Sequence, residues 1–172
     1  MRVGPAEATL ASYRERKEMF ETIVWATDGS ELADRALPYV KELARAHGAR
    51  IVAVHANELL HGRFGTPMLR DEDDLRGKIE QQVAELRSEG FETELEVATG
   101  TADVPELIAQ ASADVGADLV VVCTHGHGGF KSAVLGSVAR GLLHTAACPV
   151  LAIPPERPAA EQARAGERAT AA

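Results

Sequence analysis

At 172 residues, 45% of them hydrophobic, the chain is long enough to bury one sizeable core and too short for two ordinary domains. Acidic residues outnumber basic ones by 26 to 18, and the formal charge of −8 repels a nucleic-acid backbone unless a local basic patch overrides it. The densest basic cluster, Arg14-Glu15-Arg16-Lys17, is broken by an acid and followed by Glu18, so it reads as a solvated helix face, and an aromatic content of 4% argues against stacking platforms for single strands.

The N-terminal region has no apolar signal core, and no stretch approaches the ~18 to 20 apolar residues that cross a bilayer. Cys123 and Cys148 lack C-x-x-C spacing and sit beside apolar runs, which suits reduced, buried thiols. A cytoplasmic protein with neither membrane nor nucleic-acid partners is expected. Residues 1–18 read as a peripheral extension, 19–154 as the domain, and 155–172, rich in Ala, Glu, Arg and Pro without an apolar stripe, as a disordered tail.

In chain order, Thr22-Ile23-Val24-Trp25-Ala26-Thr27 is a buried strand ending in the turn cluster Asp28-Gly29-Ser30. From Ser30 to His47, Leu32, Ala36, Leu37, Val40 and Leu43 share one helical stripe that Gly48 ends, and Pro38 is expected to kink it. Ile51 to Ala56 is a second strand. Asn57 to Arg70, with Gly62, Gly65 and Pro67, reads as a long loop, and Asp71 to Gly90 as a helix with acids at its start, as the helix dipole prefers. Phe91 to Val97 alternates strictly, which places it near a sheet edge.

A third helix opens at Asp103-Val104-Pro105 and runs to Gly116, and Leu119 to Cys123 is a continuous apolar run suited to a central parallel strand. A glycine-rich segment leads into a helix bearing Val134, Leu135, Val138, Leu142 and Leu143, and Pro149 to Ile153 is the last strand. Alternating strands and helices predict an α/β fold of three layers, a five-stranded parallel sheet with helices on both faces. Such sheets bind ligands beyond the strands' carboxyl ends, where strand order reverses, so the loops after the first, second and fourth strands are the candidate site.

The segment from Cys123 to Val138 carries the chemistry. Its glycines permit close backbone approach and can turn N–H groups toward an anion, and Ser137 adds a hydroxyl; a surface loop ending in a closely packed helix is the equal alternative. A Walker A loop fails because Phe130 stands before Lys131-Ser132, and the dinucleotide fingerprint fails because Lys131 occupies its third glycine. Asp28 at a strand end can accept from two hydroxyls or, equally, cap the following helix with Glu31. Lys131 is a cation within the segment. Cys123, His125 and His127 lack a second ligand pair for zinc, so no metal site is expected, and no histidine and acid are placed by sequence to activate Cys123 as a nucleophile.

Gly126, nine residues and Gly136-Ser137 resemble the phosphate-binding pattern of the universal stress protein family, which begins with a glycine three positions before the second. Trp25 to Glu31, Val54-His55, Gly136 to Ala139 and Ala147 to Leu151 are similar to that family as well. The resemblance implies a Rossmann-like fold of the adenine nucleotide alpha hydrolase type and a module that binds ATP, AMP or another adenine nucleotide, with magnesium able to accompany ATP. It implies that Asp28 bonds the ribose, that Ala56 and Val122 line the adenine, and that Gly126, Gly136, Ser137 and Val138 hold the phosphates. Ala26, Thr27, Cys123 and Ala139 complete the implied set. Cys123 replaces the pattern's first glycine, and weakened rather than abolished affinity is expected. A regulatory role in the stress response and a homodimer paired through Pro149 to Ile153 also follow from the resemblance. A nucleotide-free interaction module and a slow ATP hydrolase are the alternatives.

Overall fold

The run Thr22–Ala26 forms β1, and all its side chains are buried. In the computed structural model, which describes residues 19–61, 67–68, 73–124 and 135–154, this strand is the middle of a five-stranded sheet. The other members are β2 (Arg50–Glu58), β5 (Thr93–Gly100), β6 (Leu119–Cys123) and β7 (Val150–Ile153). Their order is β5-β2-β1-β6-β7, with every pairing parallel. Two further short strands, β3 (Leu60–His61) and β4 (Pro67–Met68), pair antiparallel outside that sheet.

Strand alternation divides the core in two. Ile23 and Trp25 of β1, Ile51 and Ala53 of β2 and Leu119 and Val121 of β6 share one face with Val40 and Ala44 of α1 (Leu37–His47) and Ile79, Val83 and Leu86 of α2 (Asp73–Ser88). The intervening residues Val24, Ala26, Val52, Val54, Val120 and Val122 face Ile108 and Ala111 of α3 (Val104–Asp114) and Ala139 and Leu142 of α4 (Ser137–Thr145). Apolar residues on both faces of a strand demand helices on both sides, which is the three-layer arrangement the apolar runs predict. Each fully buried large side chain, such as Trp25 or Ile51, contributes about 1.5–3 kcal/mol through removal from water.

Helices α3 and α4 approach closely at Gly141, where an added Cβ would lie 2.5 Å from Pro105 Cβ and Cγ. A larger residue there would push the two helices apart. This contact helps fix the start of α4 relative to the sheet, and Asp103, whose carboxylate accepts from Glu106 N–H at 3.1 Å, caps the start of α3.

Three expectations are corrected. Pro38 does not kink a long helix from Ser30, because a 3-10 segment, Ala33–Ala36, precedes α1 and places the proline in its first turn. The missing N–H falls there among donors that have no intrahelical partner in any case. The expected loop from Asn57 instead continues β2 to Glu58, because Asn57 and Glu58 pair with Thr99 and Gly100, and then forms β3 and β4. Strand β5 begins at Thr93 and extends to Gly100, beyond the alternating run read from sequence, though it does lie at the sheet edge with alternating burial over its first half. The proposed extension 1–18 and tail 155–172 lie outside the described residues.

Candidate functional site

Strand order reverses on either side of β1: β2 flanks one side and β6 the other, so the carboxyl ends of β1 and β6 border the crevice where this sheet type takes ligands. The register sets Ala26 beside both Val54 and Val122. Thr27 N–H continues the ladder to Val54 carbonyl at 3.0 Å, after which the chain turns away at Asp28.

That turn is built from short-range bonds. Gly29 N–H donates to Thr27 Oγ1 at 3.1 Å, and Ser30 donates to Asp28 Oδ1 twice, from its N–H at 3.0 Å and its hydroxyl at 2.6 Å. Ser30 Oγ then accepts from Ala33 N–H at 3.1 Å. An aspartate bonding two residues ahead stabilises a turn in place of regular structure. Gly29 has φ of 72°, a left-handed conformation that disfavours any side chain. The cap partner expected for Asp28, Glu31, is exposed and absent from these bonds; Ser30 takes the role.

From β6 the chain passes through Cys123 and Thr124 and returns at Gly136, whose N–H donates to Thr124 carbonyl at 2.8 Å. Gly136 is the N-cap of α4 and supplies no side-chain bond to the first turn. Among the described residues, the amides of Ser137, Val138 and Ala139 therefore have neither an intrahelical acceptor nor a side-chain cap, the arrangement that binds anions at helix starts. Helix α3 is capped by Asp103, so the two neighbouring helix starts differ in this respect.

The predicted apolar residues converge. Ala26, Ala56, Val122, Val138 and Ala139 belong to the same cluster on the α3 and α4 side of the sheet. Ala26, Val122 and Ala139 are buried, Ala56 and Val138 are half-buried, and Ser137 is exposed. Ala139, at 1% exposure, can offer a ligand its backbone and little of its side chain.

Cys123 lies on the opposite face. Its Sγ is 3.7 Å from Ala33 carbonyl, toward which the thiol donates, and the side chain packs against the α1 and α2 core. The sulfur is thus turned away from the face shared by Ala26, Ala56 and Val122. Burial is the chief reason its pKa is pushed up to about 11, so the group is a protonated thiol at neutral pH and not a nucleophile. Gly126, Lys131, His125 and His127 lie outside the described residues.

Sequence reasoning missed two side chains that hold the Asp28 turn. His55, 4% exposed on β2, has Nδ1 3.1 Å from Thr27 carbonyl, and Lys78 of α2 donates from Nζ to Gly29 carbonyl at 2.8 Å. The second is also paired with Asp34 at 2.7 Å. Resemblance had singled out His55 without a role, and nothing in the periodicity of α2 points to Lys78.

The universal stress protein family model matches residues 19–154, which contain every element named above. The chain belongs to the universal stress protein family. A universal stress protein from Thermus aquaticus is 37% identical over 147 residues, covering 78% of this chain and 99% of its own. Among solved structures, a universal stress protein family member from Burkholderia pseudomallei is 30% identical with a TM-score of 0.61, covering 80% of this chain and 98% of its own. The universal stress protein from Archaeoglobus fulgidus in complex with dAMP is 29% identical with a TM-score of 0.58, covering 78% and 98%. This universal stress protein thus shares with its relatives the parallel α/β architecture that the apolar runs and the glycine-rich segment predict.

Proposed function

We propose that residues 19–154 form a regulatory module that binds an adenine nucleotide, ATP or AMP, at the carboxyl ends of β1 and β6. The observation that carries this reading is the first turn of α4, whose three amides have no cap among the described residues and can face phosphate oxygens on the side of the sheet that Ala26 and Val122 share. The dAMP complex of the Archaeoglobus fulgidus relative supports the same ligand class.

In this arrangement the adenine lies against Ala26, Ala56 and Val122, the ribose hydroxyls reach the Asp28 carboxylate, and the phosphates meet Gly136, Ser137, Val138 and the Ala139 backbone. Thr27 and Cys123 supply the strand-end backbone. Gly126 belongs to the same set through the sequence pattern. The orientation of the Cys123 thiol toward Ala33 favours accommodation of the ligand over closure of the site. Magnesium would accompany ATP by neutralising its phosphates, and binding in the cytoplasm would alter the module's contacts during stress. The chain is proposed to act as a homodimer joined through β7.

Slow hydrolysis of ATP has weaker support, because Asp28 is already assigned to the ribose hydroxyls in this arrangement, with Oδ1 taken up by two bonds from Ser30. The experiment is to denature protein purified from its own cells, extract any small molecule and identify it by chromatography and mass. An adenine nucleotide near stoichiometric amount is expected. Protein that carries none and also fails to take up ATP after purification would overturn the reading in favour of a nucleotide-free interaction module.

A further inference from the structure

Asp28 stands between two peptide units that are each held by a distant side chain. The Thr27 carbonyl, in the peptide that precedes Asp28, faces His55 Nδ1 at 3.1 Å. A carbonyl oxygen can only accept, so this nitrogen carries a proton and donates. The Gly29 carbonyl, in the peptide that precedes Ser30, accepts from Lys78 Nζ at 2.8 Å. Between them Gly29 adopts its left-handed φ of 72°, which glycine reaches without steric cost but does not hold rigidly, so the bonds on either side fix the turn.

Each anchor is itself fixed. His55 is 4% exposed in β2, the strand hydrogen-bonded to β1, so its ring is part of the sheet interior. Lys78 bonds Asp34 Oδ2 at 2.7 Å, and Gln82 of the same helix donates to Asp34 Oδ1 at 2.8 Å, so α2 grips both the turn and the 3-10 segment behind it. The bond from His55 is buried, where losing a partner leaves a carbonyl unsatisfied; the bond from Lys78 is charged, and such bonds are stronger than neutral ones.

We propose that His55 and Lys78 are positioning residues that clamp the Asp28 turn from the sheet and from α2, and so set the preference of the site for ligands that carry ribose hydroxyls. The inference rests on the nucleotide reading above and adds to it the origin of sugar selectivity. Neither residue needs to touch the ligand. Loosening either peptide lets the carboxylate wander, which weakens bonds to the hydroxyls and leaves contacts to base and phosphates in place.

The test is calorimetric titration of the full chain with ATP and with 2′,3′-dideoxy-ATP, which lacks both hydroxyls. The native protein is expected to prefer ATP by about tenfold, the value of one good hydrogen-bonded group, and Asp28→Ala to abolish the preference. His55→Leu and Lys78→Met are expected to cut the preference at least ~3-fold while affinity for the dideoxy nucleotide stays within ~2-fold. His55→Asn, whose amide can replace the Nδ1 donor, and Lys78→Arg are expected to restore it.

A preference unchanged in both His55→Leu and Lys78→Met, while Asp28→Ala removes it, would overturn the clamp and leave the nucleotide reading intact. A native protein that binds both nucleotides equally would also overturn it, since Asp28 would then have no sugar to hold. Binding of neither would fail the nucleotide reading itself, and the clamp with it. Should His55→Leu not fold, the Lys78→Met result decides, because Lys78 is partly solvent-exposed and its loss leaves the core untouched.

Discussion

Cys123, which stands where the family pattern has a glycine, shows how strand alternation sets the direction of a side chain. Its residue type alone predicts crowding, because a Cβ and sulfur replace a hydrogen. The alternation of β6 turns the sulfur to the other side: Val122 faces α3 and α4, so Cys123 faces α1 and α2 and meets Ala33. Burial raises the thiol's pKa from 9.0 to about 11. A raised acid contributes stability that is present below its unfolded value and lost as pH rises through the folded one, so the loss falls between pH 9 and about 11. Urea denaturation across that window is expected to show a smaller decline in stability for Cys123→Ala than for the native chain; identical declines would mean that the thiol is not held protonated. Asp28 was legible as a turn acid, but its partner is Ser30, an adjacent contact that a helix-cap pattern does not distinguish. His55 and Lys78 were not legible as anchors, because bonds to a backbone 28 and 49 residues away leave no local signature.

At the scale of elements, the apolar runs and alternating patterns located the strands of the main sheet because burial on one or two faces is written into side-chain polarity. Pro38 misled because the same residue can break a helix or open one, and which applies depends on where the preceding turn ends. The β3 and β4 pair was hidden in a stretch whose glycines and proline resemble a plain loop. Among the described residues strand β7 pairs with β6 alone, and Val150, Leu151 and Ala152 remain partly exposed; Leu143 on neighbouring α4 is 53% exposed. An open strand edge beside apolar residues is a template for pairing with a second copy, and a closed twofold dimer satisfies both edges at once. Sedimentation at micromolar concentration is expected to give twice the chain mass, and a monomer would contradict pairing through β7.

At the scale of the molecule, the sheet order gathers Ala26, Ala56, Val122, Val138 and Ala139 into one cluster on the α3 and α4 side, although they are spread over more than a hundred residues of sequence. What polarity could not supply was the state of the α4 start, since only the structure places Gly136, which brings no side chain to the first turn, at the N-cap. That start is the centre of the account. The most direct measurement is calorimetric titration of nucleotide-stripped protein with ATP, native beside Gly136→Val, whose side chain would crowd the first turn. Saturable binding by the native chain, weakened about tenfold or more in the variant while its melting temperature stays near native, is the result the account predicts. Equal affinity in the two proteins would contradict it, because the phosphates would then lie somewhere other than the first turn of α4.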